Sequence, residues 1–177
     1  MAQVDYGLKK IRLMPAKSDG TFPAFGSATE FLDVQFIVTD SFQEDKDDDQ
    51  TTDISVEELD DPILRLPGER GLKTLTFQSN NLDTPQYEYL FGYIVDGAGW
   101  TVETPDFVLP PQAIQITTKP IDKYPASVHE YAKADVKVKR TGTTGKSGLP
   151  NIQFDITFPA NLDIDGKSQP NHRFKTI

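Results

Sequence analysis

Apolar and polar residues alternate along most of the chain, a pattern that predicts half-buried β-strands. The clearest case is residues 134–140, where Val136 and Val138 face inward and the charged residues between them face water. Residues 152–158 repeat the pattern with isoleucine and phenylalanine. The glycine-rich segment 141–148 lies between these two runs and predicts a long hairpin loop. Comparable patterns predict further strands at residues 10–15, 31–42, 72–77 and 113–118.

One segment, residues 84–92, departs from the strand pattern. Asp83 or Thr84 can cap a helix, and Pro85 follows at the first helical position. Gly92 is suited to end the helix. An apolar stripe at positions i, i+3 and i+4 is formed by Tyr87, Leu90 and Phe91. We therefore predict an all-β, mainly antiparallel fold, a β-sandwich or barrel with one short flanking α-helix.

The net charge of −9 originates in one segment of the chain. Residues 40–61 contain 11 acidic residues and one lysine, whereas the remainder is almost neutral. Residues 44–50 have almost no apolar side chain to bury, so they must be solvated. The segment predicts a long acidic loop, which either stays mobile or orders against a neighbouring subunit. In the second case the predicted contact residues are Phe42, Asp45, Asp47, Asp48, Asp49, Ile54 and Val56.

Length and composition exclude several classes of protein. A chain of 177 residues corresponds to one domain, predicted here over residues 1–177. The sequence contains no cysteine, which excludes a disulfide scaffold, thiolate catalysis and a zinc ribbon. No apolar run is long enough to span a bilayer, and the first residues lack the apolar stretch of a secretory signal. The acidic balance disfavours a surface that binds nucleic acid.

Sequence motifs for catalysis or ligand binding are weak. Residues 142–147 look like a phosphate loop, but Arg140 stands where the first glycine is required. Residues 161–166 match the start of a calcium loop, but His172 occupies the position of the bidentate carboxylate, so a turn is favoured and a weak cation site stays open. Neither of the two histidines has a sequence partner typical of a metal site or a catalytic triad. Trp100 is suited either to packing or to stacking on a sugar. We predict no catalytic, cofactor-binding or metal-binding residues, and no enzymatic activity.

The order of features over residues 72–158 resembles the tail tube (major tail) proteins of long-tailed bacteriophages. A strand ending in TLTFQSNNLD is followed by the helical segment TPQYEYLFG, a loop with Trp100 and the strand PQAIQITT. Two strands, KADVKVKRTGTTGKSGLPNIQFDITF, close the pattern. The N-terminal KKIRLMPAKSDGTFP is similar to the opening strand of that family.

The resemblance implies a structural virion protein that assembles into stacked, hexameric rings. These rings would form the hollow tail tube through which DNA passes during genome ejection. Partners would be other copies of the chain and the tail proteins at the tube ends, with no specific DNA binding, no membrane and no cofactor. Assembly in the host cytoplasm and localisation in the virion tail follow from the same resemblance. The acidic segment would then correspond to the extended loop that contacts neighbouring subunits and rings.

Two alternatives stay open at the level of sequence. The first is a secreted carbohydrate-binding or adhesive β-sandwich that uses Trp100, Tyr87 or Tyr124 as stacking platforms. The second is the tube protein of a contractile injection or secretion system, which would share the tail tube architecture.

Overall fold

The computed structural model describes residues 8–26, 32–34, 37–38, 41–48, 51–54, 64–67, 71–80, 84–102, 104–120, 125–141 and 151–177. The elements in these ranges are β1 (Leu8–Pro15), β2 (Leu32–Val34), β3 (Gln43–Lys46), β4 (Thr51–Ile54), β5 (Leu64–Pro67), β6 (Lys73–Ser79), α1 (Thr84–Phe91), β7 (Ile94–Val95), β8 (Thr101–Val102), β9 (Gln112–Thr118), β10 (Ser127–Thr141), β11 (Asn151–Phe158), β12 (Asn161–Ile164), β13 (Lys167–Pro170) and β14 (His172–Thr176). The predicted all-β class with one short helix is confirmed. That residues 1–177 form a single domain stays a prediction.

Eight strands form one antiparallel sheet in the order β2-β1-β9-β10-β11-β6-β3, with β14 also paired to β10. The 15-residue strand β10 organises this sheet. Its first half pairs with β9 on one edge and β14 on the other, and its second half pairs with β11. A register shift between Tyr131 and Ala134 marks the change. Since β11 and β14 lie on the same edge of β10, the hairpin β12–β13 is an excursion between them.

One apolar core is shared by the two halves of the sheet. It contains side chains from β1, β2, β6, β9, β10, β11 and α1. Phe77 and Phe154 lie at its centre, with parallel rings 4.6 Å apart and exposed fractions of 0% and 1%. The predicted inward positions of β11 and Val136 are confirmed, because all of them are buried. Val138 is half-buried and packs at the edge of the core.

The predicted helix is confirmed, and its apolar stripe divides between two environments. Leu90 points into the core, whereas Tyr87 and Phe91 are half-buried on the flank. The N–H of Gly92 donates to the Glu88 carbonyl over 3.0 Å, and Gly92 has a φ of +65°. A Cβ at Gly92 would also lie 2.4 Å from the ring of Phe107. Both the left-handed backbone and this close approach require glycine there.

Burial raises the pKa of Tyr89 to about 12, although the hydrogen bond that it donates to Gln112 lowers it. Above pH 10 the unfolded chain loses a proton that the folded chain keeps, so we expect the stability contribution of Tyr89 to fall between pH 10 and pH 12. Urea denaturation of the native chain and of Tyr89→Phe across that interval measures it. The native chain should lose stability more steeply than the variant, and parallel losses would contradict the assignment.

Two predicted features are corrected. Among the described residues of the strand predicted over 31–42, only Leu32–Val34 forms a strand, and Ile37 makes an isolated bridge to Ser79. The acidic segment is not a continuous loop, because Gln43–Lys46 pairs with β6 and Thr51–Ile54 pairs with β5. The backbone at the edge of β6 needs hydrogen-bond partners, and an edge strand can supply them while its charged side chains stay in water. The predicted solvation is confirmed for the side chains of β3, which are exposed.

Candidate assembly surfaces

The hairpin β7–β8 is shaped by one carboxylate. Asp96 Oδ1 accepts hydrogen bonds from the backbone N–H groups of Ala98 (2.9 Å) and Trp100 (2.8 Å). The N–H of Asp96 donates to the Trp100 carbonyl over 2.8 Å, and Gly99 takes a φ of +85° in the turn. These bonds fix the loop backbone, so Trp100 is presented from an ordered turn.

Large apolar side chains on this hairpin and the loop after it face water. Ile94 is 61% exposed, Trp100 73% and Val108 81%. We call the set the apolar hairpin surface; it consists of Ile94, Val95, Trp100, Val102, Phe107 and Val108. Single exposed apolar residues are ordinary, but so many in one segment are typical of an interaction site.

An aromatic cluster ties the start of the hairpin to the helix and to β10. The ring of Tyr93 lies 5.7 Å from Tyr87 and 5.6 Å from Phe91. The guanidinium of Arg140 lies 4.8 Å from the Tyr87 ring centroid and donates a hydrogen bond to the Tyr93 hydroxyl. Cation–π and hydrogen-bond contacts of this kind restrain the segment before Ile94. The apolar hairpin surface is therefore attached to the framework of the fold at its first strand.

The second candidate surface is the acidic edge formed by β3 and the two residues after it. Asp45, Asp47 and Asp48 are exposed there, and Glu44 forms a 2.6 Å salt bridge with Lys73. Lys73 also donates to the Tyr131 hydroxyl over 2.7 Å. Burial alone would lower the pKa of Lys73, but the hydrogen bonds to Glu44 and Tyr131 outweigh it and raise the pKa. The half-buried Lys73 thus connects the edge to Tyr131 of the core, while the carboxylates of Asp45, Asp47 and Asp48 face water.

The structure places the predicted subunit-contact residues in different environments. Asp45, Asp47 and Asp48 lie together on the acidic edge. Phe42 is half-buried and packs against the core of its own chain, so part of its apolar surface is already used. Ile54 lies in β4, apart from the eight-stranded sheet. Asp49 and Val56 lie outside the described residues, as does the loop 142–147 considered as a phosphate loop.

The other candidate sites from the sequence are a turn at residues 161–166 and possible metal ligands. Residues 161–166 form a hairpin turn, as favoured from sequence, with Asp165 and Gly166 at φ of 52° and 70°. In the described part of the chain, no three His, Asp or Glu side chains come close enough to hold a metal ion together. No helix in those residues is long and apolar enough to cross a membrane.

Comparison with known proteins gives a distant structural likeness. No protein-family model matches the chain, and no curated protein matches it in sequence. Among solved structures, the chain is similar to the anti-feeding prophage cap (AFP tube terminating cap), with 9% identity and a TM-score of 0.46. The likeness covers 100% of this chain and 96% of that one. At this identity and TM-score it establishes neither a family nor a function.

The apolar hairpin surface is the feature that sequence reasoning missed. The signal was present in IVDGAGWTV, where apolar residues flank an Asp-Gly turn on both sides. Alternation identifies strands that bury one face, but a strand of two residues is too short to show it. Only the exposed fractions of these side chains distinguish a surface hairpin from a buried one.

Proposed function

We propose that this chain is a structural protein of a phage tail or a related tail-like particle. Copies would associate into rings, hexameric by the family resemblance, that stack into a hollow tube. The apolar hairpin surface carries the proposal, because its six large apolar side chains are exposed and its first strand is attached to the fold. The order β6, α1, β9, β10 and β11 supports it, since these elements follow the sequence features on which the tail tube resemblance rests.

The magnitude of apolar burial supports self-association. Full burial of a Val, Ile or Phe side chain contributes roughly 1.5–3 kcal/mol. Bringing two proteins together costs on the order of 4–15 kcal/mol in lost freedom and ordering. Burial in one contact of several of these side chains, such as the paired Ile94 and Val102, is therefore on the scale that association requires.

The charge of the chain suits a conduit for DNA. Lysine and arginine facing a lumen would bind phosphates, release counterions and slow the passage of the polyanion. With a net charge of −9, and almost no net charge outside the acidic segment, the chain has no excess of positive charge to hold DNA. In this proposal DNA passes without specific binding, other tail proteins cover the tube ends, assembly takes place in the host cytoplasm, and the chain performs no catalytic step.

We expect Ile94→Asn to weaken association by about tenfold or more, because one buried isoleucine is replaced by a polar side chain. Ile177→Asn is the matched control, since Ile177 is 60% exposed and Ile94 is 61% exposed. Sedimentation velocity and negative-stain images of both variants measure the effect. The emission of Trp100, the only tryptophan, should shift to the blue on assembly of the native chain.

Two results would contradict the proposal. One is a native chain that stays monomeric at high concentration under all conditions that assemble tail proteins. The other is assembly with unchanged Trp100 emission and equal behaviour of Ile94→Asn and Ile177→Asn, which would place the contact elsewhere on the chain.

Neutralising the acidic edge tests the predicted subunit contact. The triple variant Asp45→Asn, Asp47→Asn, Asp48→Asn should fold normally, because exposed substitutions change stability by only about 0.5 kcal/mol. We expect it to assemble poorly, with the salt dependence of the native chain reduced. The control Glu88→Gln, Asp135→Asn, Asp163→Asn has the same net charge and alters exposed positions elsewhere. Equal assembly by the two variants would show that the acidic edge makes no subunit contact.

A carbohydrate-binding function is the second candidate, and the exposure of Trp100 favours it. A tryptophan that is 73% exposed on an ordered turn is available to stack on a sugar. A glycan array distinguishes this function, since specific retention that Trp100→Ala abolishes would support it. The tube of a contractile injection or secretion system would assemble in the same way. The identity of the neighbouring genes would distinguish that function from a role in a phage tail.

A further inference from the structure

The two histidines of the chain, 43 residues apart in sequence, meet on the surface of the sheet. His129 lies on β10 and His172 on the neighbouring strand β14, where the paired residues are His129 with Phe174 and Tyr131 with His172. The two histidines are therefore diagonal neighbours across an antiparallel pair. Nδ1 of His129 lies 3.1 Å from Nε2 of His172, and the ring planes differ by 4°.

The other nitrogen of His129 contacts a hydroxyl group inside the fold. Nε2 of His129 lies 3.0 Å from the Oγ of Ser127, which is itself 2.9 Å from the Oγ1 of Thr118. When Nε2–H donates to Ser127, Nδ1 of His129 presents a lone pair toward His172. Histidine ligands of metal ions are commonly oriented in this way, with the remote N–H held by a second group.

We propose that His129 and His172 together bind one transition-metal cation of the Zn²⁺ type. Two imidazole nitrogens on a tetrahedral Zn²⁺ lie about 3.3 Å apart, given Zn–N distances of 2.0–2.1 Å. The observed 3.1 Å separation is within a few tenths of an ångström of that distance. The ion takes the place of the hydrogen bond between the two nitrogens, and the rings turn so that both lone pairs point to it. Solvent completes the coordination, because no third His, Asp or Glu joins them among the described residues.

The aromatic surroundings of His129 and His172, and the ligand types in the chain, favour a transition-metal ion at this pair. The ring of Tyr131 lies 4.6 Å from that of His172, and Phe174 flanks both histidines at 5.6 and 5.9 Å. These rings pack against the imidazoles and leave their nitrogen edges facing each other. Imidazole selects Zn²⁺, Cu²⁺ and Ni²⁺ over Mg²⁺ and Ca²⁺, and the chain has no cysteine to compete. A bound ion would fasten β14 to β10.

Calorimetric titration of the full chain with Zn²⁺ at neutral pH tests the proposal. We expect one ion per chain, with His129→Gln and His172→Gln each weakening binding by at least about tenfold. The Asp45→Asn, Asp47→Asn, Asp48→Asn variant controls for ions held by the acidic edge and should bind like the native chain. Because the chain has only two histidines, imidazole NMR signals report on this pair alone, and both should shift with Zn²⁺.

Three outcomes would overturn the proposal. They are a shift of one imidazole alone or of neither, native affinity in both glutamine variants, and a stoichiometry of one ion per two chains. Circular dichroism confirms that each variant is folded before its affinity is compared. The site does not depend on ring assembly, so monomeric protein that fails to form tubes can still bind the ion.

Discussion

Replacing Phe154 with alanine should lower the free energy of unfolding by about 4 kcal/mol. Phe154 is 1% exposed, and its ring stacks on Phe77 at 4.6 Å with an interplanar angle of 9°. Truncation removes the transfer free energy of the ring, the contact with Phe77 and the packing around the vacated volume. Since Phe154 lies in the strand between β10 and β6, the surrounding backbone has little freedom to collapse into the cavity.

Urea denaturation measures this loss as a shift of the unfolding midpoint with an unchanged slope. Phe174→Ala is the matched control, because Phe174 is 59% exposed on β14 and should cost about 1 kcal/mol or less. Phe154→Leu should recover most of the lost stability. Equal midpoints for the two alanine variants would show that the Phe77–Phe154 pair is not the centre of the core.

Replacing Asn171 with leucine should lower the free energy of unfolding by about 3 kcal/mol. The substitution removes a buried amide, and several buried backbone groups then lose their hydrogen-bond partner. Asn171 is 1% exposed and stands where the strand pairing of β10 passes from β11 to β14. Its Oδ1 accepts the N–H of Lys133, and its Nδ2 donates to the carbonyls of Lys133 and Pro159, each over 2.8 Å. The side-chain amide thus replaces the backbone pairing that the excursion β12–β13 interrupts.

Asn161→Leu is the control for this substitution, since Asn161 is exposed on β12 and its replacement should change stability by only about 0.5 kcal/mol. Hydrogen exchange adds a local measurement. In Asn171→Leu the amide of Lys133 should exchange much faster than in the native chain, while amides in β11 change less. Native protection at Lys133 would contradict the assigned role of the Asn171 amide.

Alternation along the chain was sufficient to predict most of the framework. The strands β1, β6, β9 and β11 and the second half of β10 lie where the periodicity placed them, since each buries one face against the core, whereas the first half of β10 was not predicted. The helix and the turn at residues 165–166 were also predicted, because Pro85, Gly92 and Gly166 act through local backbone preferences. Burial on one face leaves a pattern of period two in the sequence, and turn chemistry leaves its own residues, so both are readable locally.

Edge pairing and surface exposure were not readable in that way. The four charged and polar residues of β3 have no apolar face, and only the free edge of β6 makes them a strand. The hairpin with Trp100 could have been buried or exposed on its sequence alone.

The sequence by itself determined an all-β chain with one helix, an acidic segment and a set of inward-facing apolar residues. The tertiary structure alone decided which strands pair, that Asn171 completes the ladder of β10, that His129 meets His172, and that the apolar hairpin surface faces solvent. The physical reason is how far apart in the sequence the interacting residues lie. Periodicity and turns record interactions between residues close in the chain, whereas strand partners and side-chain contacts across tens of residues depend on how the whole sheet closes over its core.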